Sequence, residues 1–357
     1  MTSAGRDPRG SYPRPVGSGP IVTLAHGGGG KASRDLVADV FLRAFGLDDP
    51  SRLEDQARLP LAAMTALGDR LAFTTDSYVV DPLFFPGGDI GRLAVCGTVN
   101  DLAVGGATPL HLSCGVVIEE GLPIDILRAV AASMASAAEE AGVRIVTGDT
   151  KVVPRGACDK LFVNTAGVGV IPAGLELGVG RARAGDAVLV SGFLGDHGAA
   201  ILNARGDLAL DTTVESDCAP LHDLIARLLT ACPGIRFLRD PTRGGAATVL
   251  NEIAEASGVG LEVDESRIPL RAEVRGLCEI LGLDPLYLAN EGKIVCVAAA
   301  EHAERALAAL RAHPLGACAA IIGRATEDRP GRVVMRTTFG GLRIVDMLVG
   351  EQLPRIC

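Results

Sequence analysis

Tryptophan is absent from the 357 residues, and only three tyrosines and nine phenylalanines are present. Proteins that read unpaired nucleic-acid bases stack them on aromatic faces, so this composition argues against that class. A basic surplus is missing too: 34 Lys and Arg stand against 43 Asp and Glu, a net charge of −9. No positive field awaits a nucleic-acid backbone or an anionic membrane. Long apolar runs are also lacking. The longest uncharged stretch, Leu102 to Ile118, is broken by Gly105, Gly106, Pro109 and His111, whereas a spanning helix needs about 20 apolar residues. The opening MTSAGRDPRGSYPRPVGSGP has no apolar segment, which predicts a disordered leader rather than an export signal. Nine cysteines are irregularly spaced with no CxxC. That pattern excludes a zinc ribbon and predicts reduced thiols in a cytoplasm, eight in the core and the ninth ending the chain.

What is present is a large apolar fraction, 48%, with 22% charged residues, enough to bury cores in about two domains. Leu36, Val37, Val40, Phe41 and Ala44 recur at helical spacing and predict a helix from Ser33 to Phe45 with Ser33 as its N-cap. Strands are predicted at 71–80, 110–118, 143–146 and 161–171, with helices from Asp89 and over 123–141. After a Gly/Arg-rich joint at 178–185, strands at 187–191, 261–263, 293–299 and 319–323 alternate with helices near 196–205, 218–230, 244–256, 272–281 and 301–312. The expected class is α/β (α+β), with domains over 21–175 and 180–345 and a mobile tail over 346–357. Such folds place ligands in loops at the ends of strands.

The glycine loop His26-Gly27-Gly28-Gly29-Gly30-Lys31 is not a Walker A motif, because Ala25 and Ala32 occupy positions that need Gly and Ser or Thr. It can be a phosphate-covering loop that includes Lys31 or a plain hinge. Three acidic motifs end apolar runs: Thr75-Asp76-Ser77, Asn100-Asp101 and Gly148-Asp149-Thr150-Lys151. Mg²⁺ takes hard oxygen ligands, commonly one or two carboxylates plus nucleotide phosphates. Asp76, Asp101 and Asp149 meeting in space would suit it, although any one of them alone is a common turn or cap residue. Asp240, in Arg239-Asp240-Pro241-Thr242-Arg243-Gly244-Gly245, is expected to open a helix whose N-terminus and arginines form an anion site.

These segments, with SGFLGDHGAAI and NEGK, resemble the ATP-binding superfamily of aminoimidazole ribonucleotide synthetase. Within it they are similar to the carbamoyl dehydratases of hydrogenase maturation, over about residues 21 to 357, and the final Pro354-Arg355-Ile356-Cys357 is the family's most specific mark. The resemblance implies a two-domain synthetase-like ATPase fold with ATP-binding and homodimerisation in the first domain and a flexible C-terminal tail. It implies ATP and Mg²⁺ as cofactors, with Asp76, Asn100, Asp101, Asp149, Thr150, Lys31 and Asp240 around the nucleotide and Asp76, Asp101 and Asp149 on the metal.

The implied reaction starts when a partner carbamoyltransferase loads Cys357. ATP then phosphorylates the carbamoyl oxygen, and loss of phosphate and the nitrogen protons leaves an S-bound cyano group. Lys151 and Glu291 are the family-matching bases. An iron-carrying scaffold complex receives the cyanide for the [NiFe]-hydrogenase centre. Seven residues from Gly350 can extend roughly 25 Å, enough for the tail to reach a partner and return. The rivals are a selenophosphate-synthetase-like phosphotransferase, whose glycine loop would carry a reactive Cys that HGGGGKAS lacks, and a non-catalytic carrier of the carbamoyl or cyano group.

Overall fold

The computed structural model describes residues 19–47, 54–206, 213–350 and 353–357. The expected leader therefore lies almost wholly outside the described residues, as do positions 351 and 352 of the tail. Two short helices, α1 (Lys31–Val37) and α2 (Leu61–Thr65), precede the first strand. The expected helix at 33–45 starts earlier and changes pitch: Gly30 is the N-cap of α1, and one π turn, Ala38–Leu42, follows. Ser33 accepts a hydrogen bond from the Gly29 N–H rather than capping.

The first sheet contains β1 (Arg70–Tyr78), β4 (Thr108–Glu119), β5 (Arg144–Val153) and β6 (Leu161–Ile171) in the order β1-β6-β4-β5. A small hairpin, β2 (Phe84–Phe85) and β3 (Gly88–Asp89), leads into α3 (Ile90–Val104). Asp89 caps α3 by accepting hydrogen bonds from the N–H groups of Gly91 and Arg92. The parallel pair β4 and β5 is bridged by α4 (Ile124–Glu140); the other pairs are antiparallel. Helices α3 and α4 cover one face of this sheet. The other face is bare, with Leu71 60% and Phe73 73% exposed.

The second sheet has seven strands: β7 (Ala187–Val190), β8 (Ile235–Arg239), β9 (Gly260–Asp264), β10 (Val295–Ala298), β11 (Ala320–Thr326), β12 (Val333–Arg336) and β13 (Leu342–Val345). Their order is β13-β12-β9-β11-β7-β10-β8, and β9/β12 is the parallel pair. Helices α5 (Asp196–Arg205), α6 (His222–Ala231), α7 (Gly245–Ser257), α8 (Ala272–Leu281) and α9 (Ala303–Arg311) surround it. Strand β7 shows why this sheet needs cover on both faces. Val188 and Val190 pack with α7, while Ala187 and Leu189 face α6 and α9, as a two-residue period with no polar member demands. The strand and helix positions read from the sequence correspond closely here, apart from β8, β12 and β13, which the sequence reading did not find.

Helix α3 joins the halves. It is buried nearly all round, as expected of a helix between two layers. One side lies on β1 and β6 and the other meets α6 and β8. Gly97 permits the first contact, since a Cβ there would stand 2.2 Å from the buried Tyr78 hydroxyl. Of the nine cysteines, six are buried, Cys158 and Cys357 are partly covered and Cys318 is exposed, so the expected eight core thiols are too many.

Gly97→Ala should lower stability by about 1–3 kcal/mol through overpacking, visible as a reduced thermal midpoint that Tyr78→Phe in the same chain largely restores. An unchanged midpoint would contradict the tight α3–β1 contact.

Candidate functional site

The seam under α3 collects acidic groups. Asp101, near the end of α3, accepts a hydrogen bond from the Thr74 hydroxyl at 3.0 Å. Asp76 lies two residues along the same face of β1, opposite the buried Thr165, which in turn bonds the Ala94 carbonyl of α3. Asp240 follows β8, and Glu291 sits in the loop before β10; both are buried. Burial, then Asp76, raises the Asp101 carboxyl above its ordinary range. Burial first and Asp101 second push Asp240 up to about 7. Glu291 is pushed well above an ordinary glutamate by burial and then by Asp240, Asp217, Asp76 and Asp101. Carboxylates that perturb one another in this way occupy one low-dielectric region.

The Asn290-Glu291-Gly292-Lys293 motif aims one of these groups. Asn290 is spent on main chain: its amide donates to the Pro241 and Leu288 carbonyls, and its oxygen accepts from the Gly195 N–H. A Cβ on Gly292 would lie 1.8 Å from the Asp217 carbonyl oxygen, so only glycine fits. Asp217 accepts from the Glu291 and Gly292 N–H groups and pairs with the Lys293 ammonium at 3.1 Å. The Glu291 side chain is left buried with Oε1 unpartnered. Asp217 was not singled out in the sequence, although the polar pair Ser216-Asp217 ahead of an apolar run was a visible signal.

Other expected site residues go elsewhere. Asn100 fastens the halves, donating to the Ala219 and Glu291 carbonyls and accepting from the Leu221 N–H. Asp240 does not open a helix, because α7 begins at Gly245. Asp149 and Lys151 pair with each other at 2.6 Å on β5, both largely exposed. Their register partners Gly115 and Val117 place them on the bare face, opposite the face that carries Asp76. Strands β1 and β5 are the two edges, three spacings or about 14 Å apart. The three carboxylates expected to meet therefore divide, Asp76 with Asp101 at the seam and Asp149 apart. Thr150 is also on β5. The glycine loop abuts that strand, where a Cβ on Gly27 would stand 2.9 Å from Val152, and Lys31 is exposed at the start of α1. Among the described residues no group of three or more His, Cys, Asp or Glu is disposed to hold a metal alone.

The end of the chain is seated at the same seam. Ile356 is buried in the core that also contains Tyr78, Cys218 and Ala289, and Leu353 and Cys357 pack on it. The Arg355 guanidinium is engaged by Asp159 at 2.5 Å and by the Val79 carbonyl. His197 is fully buried; its Nε2 donates to the Ile356 carbonyl at 2.8 Å and Nδ1 faces the Ser216 hydroxyl at 2.8 Å. Burial holds its pKa below the usual histidine value, so the ring is neutral. The tail expected to be mobile is thus docked over its last five residues, with Cys357 beside Val79, next to Tyr78 and near the loop that carries Glu291.

Comparison with known proteins identifies the fold and the family. Residues 55–171 fit the model of the AIR synthase related protein N-terminal domain, and residues 183–336 fit that of its C-terminal domain. The carbamoyl dehydratase HypE of Rhodobacter capsulatus is 64% identical over 94% of this chain and 98% of its own. A crystal structure of the hydrogenase maturation protein HypE in complex with ATP superposes with a TM-score of 0.88 at 54% identity, covering 94% of this chain and 99% of that one. The HypE in a HypE–HypF complex superposes at 0.76 and 46% identity, covering 89% and 100%. The chain belongs to the HypE family of carbamoyl dehydratases, hydrogenase maturation proteins built on the AIR synthase related fold.

Proposed function

We propose that this carbamoyl dehydratase acts on its own Cys357. The observation that carries the reading is the seating of Leu353–Cys357 at the seam that buries the Glu291 carboxyl. The carbamoyl oxygen on the Cys357 sulfur attacks the terminal phosphorus of ATP, and ADP departs. One nitrogen proton leaves as the C=N bond forms; phosphate then leaves carbon, the second nitrogen proton is lost, and S–C≡N remains. Glu291 in its ionised form is the base for a nitrogen proton, and burial strengthens that base. The dry seam keeps water from the phosphorylated carbon.

The hard oxygens of Asp76, Asp101 and Asp240 offer the one or two carboxylates that a magnesium–nucleotide takes beside its phosphates, which leaves the unpartnered Glu291 oxygen to the substrate nitrogen. Mg²⁺ bound there would offset charge on the transferred phosphoryl group.

The partners proposed are a HypF-like carbamoyltransferase, an iron-carrying scaffold complex and a second copy of this chain, in the cytoplasm. We assign nucleotide binding and dimerisation to the domain at 21–175, with the domain at 180–345 supporting the seam. The bare sheet face with Leu71 and Phe73 is the surface for the second copy. Packing there covers Lys151 and Asp149 and supplies the environment that Lys151 needs to act as a base.

Peptide mass spectrometry tests the reading. Cys357 incubated with the carbamoyltransferase should gain a carbamoyl adduct that loses one water only with Mg-ATP. In Glu291→Gln the adduct should form, and its dehydration should slow by about 10²–10⁴-fold. An adduct on the unaltered chain that persists with Mg-ATP would leave a carrier.

Phe73→Glu should turn a dimer into a monomer in light scattering and slow dehydration with it. A monomeric unaltered chain would overturn the second-copy assignment.

The seam also predicts a pH dependence. The folded Asp240 titrates near 7, above its ordinary 3.8, so between these values the fold holds a proton that the unfolded chain has lost. Stability therefore falls as pH rises through that window. Asp240→Asn should lessen the fall, the remainder coming from Asp101 and Glu291, and raise the thermal midpoint at pH 8. Mg²⁺ should raise the midpoint of the unaltered chain more at pH 8 than at pH 6, and equal increments would count against a metal at these carboxylates.

A further inference from the structure

The docked tail is held by its main chain more than by its side chains. Ile356 is its one buried side chain, yet each carbonyl from Pro354 to Cys357 accepts a hydrogen bond. The Arg205 guanidinium donates through Nη2 to the Pro354 and Arg355 carbonyls at 2.5 and 3.0 Å, and through Nε to the Asp81 carbonyl at 3.1 Å. The Asp81 N–H reaches the Arg355 carbonyl at 3.3 Å, and the Val79 N–H reaches the Cys357 main-chain oxygen at 3.0 Å. His197 takes the Ile356 carbonyl. Because that carbonyl only accepts, Nε2 carries the proton, and Nδ1 must accept from Ser216. The Ser216 oxygen is itself fixed by the Cys218 N–H at 3.1 Å, and the ring stands edge-on to Phe85 with centroids 5.5 Å apart.

His197 and Arg205 lie in the first and last turns of α5, eight residues or about 12 Å apart. One helix thus presents two donors along the line of the tail. Arg205 also ties that line to Asp81, just past the end of β1. A planar guanidinium can serve three carbonyls from two segments at once, which an ammonium on a flexible stem cannot hold equally well.

We propose that Arg205 is a positioning residue for the dehydration, the clasp that together with His197 holds the tail main chain so that Cys357 rests at the seam. The inference builds on the function proposed above. The clasp acts on the docked state: it does not touch the reacting atoms, and opening it frees the tail for the partner that loads it. Recognition is of carbonyls, so the clasp holds the tail whichever group the sulfur carries.

The test uses the full chain and the iodoacetamide alkylation rate of Cys357, read by peptide mass spectrometry against the exposed Cys318 as internal reference. Arg205→Gln should raise the Cys357/Cys318 rate ratio about tenfold, the population change expected from losing one charged hydrogen bond, and Arg205→Lys should raise it less. The circular dichroism spectrum and the Cys318 rate should stay those of the unaltered chain, and Arg205→Lys covers the case in which Arg205→Gln fails to fold. In parallel, carbamoylation of Cys357 should proceed at least at its usual rate, while Mg-ATP-dependent loss of water slows by the factor by which the docked fraction falls. An unaltered alkylation ratio in the folded variants overturns the clasp. A raised ratio with undiminished dehydration overturns its role in the reaction. If the unaltered chain itself fails to dehydrate, the proposed function falls, while the alkylation arm still decides whether Arg205 holds the tail.

Discussion

Crowded negative charge at a buried seam is the constraint around which the molecule is built. Asp76, Asp101, Asp240 and Glu291 come from β1, α3 and two loops of the second half, and each raises the energy of its neighbours' ionised forms. Such a cluster persists only when the surrounding structure over-determines it. Here that structure is the main-chain stapling by Asn100 and Asn290, the close approach at Gly292 and the buried Asp217–Lys293 pair. The first three use hydrogen bonds and steric fit that add no charge to the seam. The fourth places the Lys293 ammonium on Asp217, which leaves the partly exposed Arg239 guanidinium to offset Asp101 and Asp240.

Helix α3 turns this local constraint into an architecture. Because it is buried nearly all round, it can be the inner layer of both halves, and its C-terminal turns carry Asn100 and Asp101 to the junction. The two sheets therefore share a wall rather than a linker. A shift of α3 would move both the first-sheet carboxylates and the anchor points of the Glu291 loop.

Much of this was legible in the residues. The NEGK run, the strand ending in Thr75-Asp76-Ser77 and the Asn-Asp pair on α3 all stand at the junction, because polar residues interrupting apolar runs mark element ends. Strand order was not legible. Asp149 looks like Asp76 in sequence, but whether a carboxylate faces the helices or the bare face depends on register and on which strands are edges. Four-residue strands such as β12 carry too short a pattern to announce a parallel partner some seventy residues away. The docking of the tail left little trace either: most of its hydrogen bonds are accepted by backbone oxygens, which every residue possesses. His197 stood out only as part of the family-like SGFLGDHGAAI segment, where a lone histidine more often serves structure, and Arg205 only as an ordinary member of a helix.

A holding device that grips backbone alone has a thermodynamic corollary. Thiol, carbamoyl and cyano forms of Cys357 present the same carbonyls to Arg205, His197 and Val79, so the grip contributes the same free energy to all three. It gives the cycle no direction: substrate and product are retained with equal strength as far as the grip is concerned. Any bias toward handing on the finished group must then come from what differs between the states, the nucleotide at the seam and the surface of whichever partner next receives the tail.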